Sequence, residues 1–454
     1  MKTILFWLCS AVIAVALLFG GGTRQGLVSD ALPQTLSLLL FAFALPGAIP
    51  LLRSKPWALA FLIGILFLPV LQAVPLPPFV WRVLPGRQVI SDTYAIAGID
   101  MSWRPLSLIP GATWRAFLFL FPAIAVFLSV LSFERQARQW LLLLILAIAI
   151  VCVPVAMLQV VGGDGSPLYF FEITNVGKGV GFFANANHFA AFQYAMLPLA
   201  ACAIMDMRER FVLPPLAIFG GVAAVLLMGL SLTGSRSAVL LGGLSTILTA
   251  MFLLRPEISK IGRRRVLWLA AAFAVVVGLF ASGMGLLAIL QRFDKQDIAE
   301  DARWVIAANT WNAIRIYFPF GSGFGTFPDV YQLHERLQDV FPPFVNRAHD
   351  DVLEVLLEGG VFSLCLLASF VVWLCLHTAT VLGQDLTPET RQARAGIIVL
   401  WLFLLHSFWD YPLRTIALST VVGVCMALQF RGQSAGGIQS ASLRSRRRKQ
   451  SSTQ

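Results

Sequence analysis

Residues 140–161 read WLLLLILAIAIVCVPVAMLQVV and contain no charged side chain. As a helix this run is about 33 Å long, which matches the roughly 30 Å of hydrocarbon in a bilayer. It therefore predicts a transmembrane helix. About twelve such spans are predicted along the chain, near residues 3–21, 35–52, 57–75, 114–132, 140–161, 189–205, 212–231, 237–254, 266–289, 352–376, 396–409 and 414–430.

The composition agrees with a chain that crosses the membrane many times. Of its 454 residues 58% are hydrophobic and 13% are charged, and the mean hydropathy is +0.78. Such values indicate apolar segments throughout the chain rather than one buried core. We therefore predict an all-α, polytopic membrane protein. The net charge of +11 requires no nucleic-acid partner, because the basic residues follow the membrane topology.

Orientation follows from the basic residues. Most of the 34 lysines and arginines lie in alternate loops between predicted spans, and such loops face the cytoplasm. Both termini are therefore predicted to be cytoplasmic. The first apolar run has no small-residue cleavage site after it and is expected to remain as a helix. The basic tail, which contains SLRSRRRKQ, is interpreted as a stop signal or as a contact for anionic membrane lipid.

Three regions are predicted. Residues 1–161 form an N-terminal bundle with a Pro- and Trp-rich outer loop at 76–113, which suits the membrane interface. Residues 162–430 form a transmembrane core with a long outer loop at 291–350, and residues 431–454 form the tail. Long loops in compact proteins are usually functional or disordered. The aromatic residues and helical pattern of residues 291–350 favour function.

A polar stretch, NRAHDDVLEVLLEGG, returns this loop to the membrane at residues 346–360. It places His349 at the outer end of a span, with Asp350 beginning the first turn. Asp351, Glu354 and Glu358 then lie on one helix face, which must point into the bundle or a wet cavity. Intramembrane ionisable groups suggest function, although these acids could also only neutralise arginines inside the bundle.

Several arginines are predicted on the same side. Arg236 lies in a short turn between two spans, and Arg303 and Arg315 lie on the long loop. Arg347 lies within the polar stretch, and Arg414 lies at the start of the last span. The arginine fork suits bidentate binding of phosphate. A histidine among such cations can stay neutral and act as a base, which would suit transfer from a diphosphate-activated donor to a hydroxyl.

Two further motifs lie on the predicted outer side. GFFANANHF places Asn185 and Asn187 at a span boundary, where their amides could hold sugar or phosphate or could cap the helix. HSFWDYPLR brings His406, Asp410 and Arg414 together, and we interpret them as a network that fixes two helices. The outer loops contain no paired histidines or D-x-D, so neither a metal nor another cofactor is expected.

The chain resembles the O-antigen ligase and polymerase family of bacterial envelopes. The resemblance covers most of the chain from residue 162 onward and rests on the order of five stretches. These are GKGVGFFANANHFAAFQYAMLPL, LTGSRSAVLLGGL, DARWVIAANTWNAIRIYFPFGSGFGTF, NRAHDDVLEVLLEGG and LLHSFWDYPLRT. It implies an all-α fold of the polytopic GT-C glycosyltransferase type. It also implies a glycan donor on undecaprenyl diphosphate.

The resemblance further implies roles for three residues. Arg236 and Arg303 match the arginines thought to bind the donor diphosphate, and His349 matches the histidine thought to activate the acceptor hydroxyl. The residue after that histidine is usually Asn, Ser or Gln, whereas here it is Asp350. An acid beside His349 favours the imidazolium form. Alternatively, Asp350 orients the ring as the acid of a catalytic triad does.

We therefore expect a metal-independent glycan transferase of the bacterial inner membrane, with an active site that faces the periplasm. A ligase would use the lipid A core as acceptor, and a polymerase would use the next lipid-linked repeat. A protein O-oligosaccharyltransferase would use Ser or Thr. A polytopic solute transporter is the alternative from another class, and it should show inverted repeats and broken helices near mid-membrane.

Overall fold

The computed structural model describes residues 2–24, 26–172, 174–260, 262, 298–340 and 344–430. The span predicted at 266–289 and the tail at 431–454 lie outside the described residues. The described part is 73% helical with almost no strands, which confirms the all-α, polytopic class. Its helices are α1 Lys2–Phe19, α2 Val28–Arg53, α3 Pro56–Ala73, α4 Pro78–Trp81, α5 Gln88–Ile96, α6 Pro110–Phe119, α7 Phe121–Leu131, α8 Arg135–Gly162, α9 Ala186–Asp206, α10 Pro215–Leu232, α11 Arg236–Thr249, α12 Arg255–Ile258, α13 Ile298–Tyr317, α14 Phe327–His334, α15 Asp351–Leu382, α16 Pro388–His406 and α17 Ile416–Ala427.

Among the described residues, nine helical segments are long and apolar enough to cross a membrane. Two of them combine consecutive elements, α6 with α7 at Pro110–Leu131 and α11 with α12 at Arg236–Ile258. The helices α16 and α17 coincide with the predicted spans at 396–409 and 414–430. A helix therefore lies on each predicted span that the described residues cover.

Helix α9 is the centre of the bundle. It is buried continuously from His188 to Met205, and α8, α10, α11 and α16 pack around it. Its alanines explain this position, because small side chains let neighbouring helices approach closely in a membrane. The helix therefore fixes the depth and orientation of the polar residues at its first turn.

The N-terminal helices share a core with the C-terminal ones. Helix α7 packs against α2 and α17, and α1 packs against α8 and α17. One continuous apolar cluster includes Val12 of α1, Leu128 of α7 and Val421 of α17. The regions predicted at 1–161 and 162–430 thus meet along the bundle.

The segment 76–113 folds over one end of the bundle. A short antiparallel pair joins β1 (Pro75–Leu76) to β2 (Arg104–Pro105). The guanidinium of Arg87 is buried and donates to the carbonyls of Leu106, at 2.6 Å, and Gly321, at 3.1 Å. This contact ties the segment to the loop after α13, and both therefore lie at the same end of the bundle.

Helix α15 is interrupted near its start. Gly360 has φ 59° and ψ −148°, which only glycine adopts readily, and a Cβ there would overlap the carbonyl oxygen of Pro319. The loop after α13 fills the break, since Val361 N donates to Pro319 O and Gly323 N donates to Glu358 O. The 22 residues from 361 to 382 contain no acid, lysine or arginine and span about 33 Å. The acidic turns of α15 before Gly360 are thus separated from the part of the helix without acidic, lysine or arginine side chains after it.

Candidate active site

His349 lies in a strained turn immediately before α15. Its φ is 53°, the left-handed region that non-glycine residues seldom adopt. Glu354 holds the turn, because Ala348 N donates to its Oε2 at 3.1 Å and Arg347 Nη1 donates to its Oε1 at 2.7 Å. The imidazole remains 26% exposed. A partly exposed histidine on an otherwise buried and fixed turn is well placed to meet a substrate.

Asp350 is the N-cap of α15. Its Oδ1 accepts from Val352 N at 2.8 Å and from Leu353 N at 3.0 Å, which satisfies two amides of the first turn. Burial raises the pKa of Asp350, and these backbone donors oppose that rise. The described hydrogen bonds of Asp350 therefore serve the helix start.

Asp410 is the acid that faces His349. Its Oδ1 lies 3.7 Å from Nδ1 of His349, which is ion-pair range but longer than a hydrogen bond. The carboxylate also accepts from Tyr411 N at 2.9 Å and from Nδ2 of Asn187. Burial raises the pKa of Asp410. The three histidines His349, His188 and His406 together lower it by more than burial raises it, so the net pKa lies below the ordinary value. Asp410 is thus a carboxylate held against an imidazole.

Tyr411 links His349 to a second histidine. Its ring meets the imidazole of His349 edge to face at 5.0 Å and that of His188 at 4.9 Å. Burial and the charge of Asp410 raise the pKa of Tyr411, so the phenol stays protonated. His188 is fully buried, and neither of its ring nitrogens has a hydrogen-bond partner among the described residues. The aromatic wall therefore limits how far His349 can rotate.

The two asparagines of GFFANANHF have different contacts. Asn185 is the N-cap of α9, and its Oδ1 accepts from Asn187 N at 2.8 Å. Asn187 directs its amide at Asp410. The capping alternative for Asn185 thus agrees with the geometry, whereas Asn187 connects the first turn of α9 to the carboxylate opposite His349.

The connection between α16 and α17 supplies the rest of this network. Nε2 of His406 lies 3.9 Å from Oδ2 of Asp410, and Tyr194 of α9 hydrogen-bonds to Nδ1 of His406 at 2.8 Å. The contact joins α16 to α9. The interpretation of HSFWDYPLR placed Arg414 in the same network, but Arg414 pairs with the acids of α15 instead. The sequence spacing of that stretch gave no sign that Asp410 also faces His349.

Arg414 and the three acids of α15 form a buried ion cluster. The guanidinium lies 3.3 Å from Asp351, 3.5 Å from Glu354 and 3.2 Å from Glu358. Arg347 completes the cluster through Glu354. Through these contacts Arg347 and Arg414 hold α15. The contacts do not direct either guanidinium toward a ligand.

Arg236 begins α11, directly after its N-cap Ser235. The preceding turn adjoins the Gly-rich segment 177–181, because Gly179 N donates to Leu232 O at 2.9 Å. Gln159 of α8 holds that segment by accepting from the amides of Val180 and Gly181. The half-buried side chain of Arg236 therefore lies at the same end of the bundle as the first turn of α9.

The long-loop arginines lie on α13. Arg303 is half-buried and close enough to His406 for an electrostatic interaction, which brings it to the edge of the histidine network. Arg315 is exposed three turns further along the same helix. The structure thus gathers His349, Asn187, Asp410 and Arg303 around one region. No group of three metal-ligating side chains suited to an ion occurs among the described residues.

The fold and this polar region define a polytopic membrane protein whose chemistry-bearing side chains cluster at one end of an all-α bundle. Residues 221–368 match the family model described as O-antigen ligase. The match includes Arg236, Arg303 and His349 and confirms the resemblance to the O-antigen ligase family. It supports a glycan transferase of the ligase or polymerase type in general. No curated protein matches the chain.

Proposed function

We propose that the protein transfers a glycan from an undecaprenyl-diphosphate-linked donor to an acceptor hydroxyl. The observation that carries the proposal is the partly exposed His349, which is fixed in a strained turn 3.7 Å from the buried Asp410. A histidine oriented by a carboxylate is suited to accept a proton from a hydroxyl. The match to the O-antigen ligase model supports the same chemistry.

The reaction balances without a metal. Asp410 favours a proton on Nδ1 of His349, which leaves Nε2 able to accept the acceptor's hydroxyl proton. The acceptor oxygen forms a bond to the anomeric carbon, and the bond between that carbon and the phosphate oxygen breaks. The lipid diphosphate leaves with the bonding electron pair. Tyr411 packs against the imidazole, and Asn187 donates to the carboxylate, so both groups keep their positions.

Arg236 and Arg303 would bind the diphosphate and stabilise its developing charge. Arg236 is the first residue of α11, and Arg303 lies in the first half of α13. Arg315 and Asn185 would contact peripheral parts of the donor or acceptor. Arg347, Asp350 and Arg414 would act by holding the turn and α15, as their contacts indicate.

The setting of the proposed reaction is the bacterial inner membrane, with both termini cytoplasmic and His349 at the periplasmic face. The acceptor is the lipid A core for a ligase and the next lipid-linked repeat for a polymerase. Transfer to a protein Ser or Thr is a third possibility. The break in α15 is a feature that transporters also use. Here the backbone of the loop after α13 fills it, which favours a structural role for the break.

Purified full-length protein tests the function directly. Incubation with a lipid-diphosphate glycan and an acceptor should release free lipid diphosphate and give a longer glycan product. A strain that lacks the protein then distinguishes the acceptors. Accumulated long lipid-linked chains support a ligase, and single repeats without long chains support a polymerase. Normal glycans in that strain, together with no product in vitro, would refute glycan transfer.

A further inference from the structure

A cavity of about 470 Å³ lies at the end of the bundle opposite His349. Its lining includes Lys55 at the start of α3, Arg135 at the start of α8 and Gln384 after α15. Lys55 and Arg135 begin helices that run toward the His349 end. The cavity is therefore separated from the candidate active site by the length of a span.

The charged side chains that line this cavity are mostly cationic. Lys55, Arg135 and Arg138 face it together with one acid, Glu389. Arg138 is engaged by backbone carbonyls, among them Phe133 at 3.0 Å and Phe430 at 2.6 Å. Lys55 is exposed, and Arg135 makes only long contacts, 3.9 Å to Asp206 and 4.0 Å to Glu389. Lys55 and Arg135 can therefore reorient toward an anion.

Aromatic side chains form one wall of the cavity. Trp57 stacks on Trp373 with ring centroids 4.6 Å apart, and Trp373 stacks on His377 at 5.1 Å. Tryptophan is enriched where membrane proteins meet the headgroup region. The buried Gln392 also lines the cavity, and its Nε2 has no hydrogen-bond partner among the described residues. The wall and the cations together match the depth and charge of a lipid headgroup.

A second, largely apolar cavity of about 360 Å³ adjoins the first. Both cavities are lined by Trp57 and Phe430. From Trp57 the apolar cavity follows α3 to Ile65, about 12 Å at 1.5 Å per residue, between α3, α7, α15 and α17. Its walls beside α3 include Leu62, Phe127 and Phe370, and its far end reaches Ser407 and the pair of Asp351 and Arg414. A hydrocarbon chain that enters at Trp57 would thus be surrounded by apolar side chains.

We propose that these two cavities together bind one anionic membrane phospholipid. Its phosphate lies between Lys55 and Arg135, and one acyl chain occupies the apolar cavity. Charge decides between this occupant and the tail that follows Phe430, because the tail carries SLRSRRRKQ and would be repelled by the same cations. A lipid supplies both the anionic group and the hydrocarbon chain that the two neighbouring cavities accommodate.

Native mass spectrometry of the full-length protein tests the proposal. The protein would be equilibrated with equal amounts of phosphatidylglycerol and phosphatidylcholine that carry identical acyl chains. We expect several-fold more retained phosphatidylglycerol than phosphatidylcholine. The ratio should fall toward one in Lys55→Gln and Arg135→Gln. Arg53→Gln is the matched control, because Arg53 is exposed at the same end but does not line the cavity.

Two further arms separate a lipid from a free anion. Leu62→Trp fills the apolar cavity and should reduce retained phosphatidylglycerol, whereas excess inorganic phosphate should leave it unchanged. Displacement by phosphate would show a simple anion site and overturn the proposal. Equal retention of both lipids by the unaltered protein would also overturn it, and that result does not depend on any variant. An equal loss in Arg53→Gln would assign the preference to general surface charge.

Discussion

At the scale of single residues, the conformation of His349 is the main departure from regular structure. A left-handed φ at a non-glycine residue costs about 1–3 kcal/mol and persists only where surrounding contacts determine it. Here those contacts come from Glu354 and Arg347 on one side and from the Asp350 cap on the other. In this conformation the imidazole faces Asp410, which lies in the connection between α16 and α17.

Asp410→Asn should lower the turnover rate at least about tenfold, but by no more than the 10²- to 10⁴-fold that the general base His349 itself contributes. The maximum of the activity profile should fall at every pH, because an amide cannot orient the ring as the carboxylate does. A free Asp becomes protonated at about pH 4. Because the pKa of Asp410 is lowered, its carboxylate stays charged at that pH and is protonated only as the pH falls through the lowered value.

The measurement is a pH–rate profile together with a donor dissociation constant. Donor affinity should stay unchanged in Asp410→Asn, because the arginines are untouched. Asp350→Asn is the matched comparison. It removes an acid adjacent to His349 in sequence whose described bonds serve the helix start, so we expect a much smaller effect. A larger loss in Asp350→Asn than in Asp410→Asn would contradict the assignment of Asp410.

Arg236→Lys should lose most transfer activity, because an ammonium group keeps the charge but cannot make a two-point phosphate contact. Arg303→Lys should also lose transfer activity, for the same reason. Donor binding and transfer are both measured at matched protein levels. Near-normal transfer by Arg236→Lys would show that Arg236 serves only to position α11 at the membrane boundary.

At the scale of elements, α15 is the helix that connects fold and site. The predicted span at 352–376 is present, but the sequence gave no position for the break at Gly360. In the structure, Pro319 of another segment makes a close approach at Gly360. Apolar runs therefore predicted which helices exist. The contacts that shape α15 are long-range, and local patterns do not contain them.

Gly360→Ala should destabilise the protein by more than about 1–3 kcal/mol, since the alanine must adopt an unfavourable φ and its Cβ overlaps Pro319. The thermal midpoint in detergent measures the change. Gly243→Ala is the control, because Gly243 lies within α11 and a Cβ there meets nothing within 4 Å. A midpoint in Gly360→Ala that equals that of the control would contradict the described break.

Glu354→Gln should cost about 3–5 kcal/mol of stability, because it leaves buried arginine charge uncompensated. It should also lower turnover, since Glu354 holds the turn that presents His349. Glu389→Gln is the matched control, because Glu389 is half exposed and lies 4.0 Å from Arg135, where a surface pair contributes about 0–1 kcal/mol. Equal midpoints for both variants would contradict the role of the cluster.

At the scale of the whole molecule, the residues proposed for binding and catalysis lie at one end of the bundle. The sequence predicted that the chemistry-bearing residues gather on one side, and the structure places His349, Asn187, Asp410 and the start of α11 at one end of the bundle. The partner of His349 could not be predicted, because Asp410 reaches it across the bundle. The i,i+4 spacing of His406 and Asp410 indicated only their mutual contact.

Reporter fusions test the predicted orientation. A fusion at Asp329, on α14, should report the periplasm, and a fusion after Gln384, between α15 and α16, should report the cytoplasm. The two sites flank the single span α15, so they must differ. A cytoplasmic result at Asp329 would place His349 on the wrong side for a periplasmic acceptor.

The central claim is that His349 is the base that activates the acceptor, and one paired measurement on His349→Ala tests it most directly. Transfer by the purified variant is measured with lipid-linked donor and acceptor, and donor affinity is measured on the same preparation. We expect normal insertion, unchanged donor affinity and a 10²- to 10⁴-fold lower turnover rate. Full transfer by His349→Ala would show that this histidine is structural and would contradict the proposed mechanism.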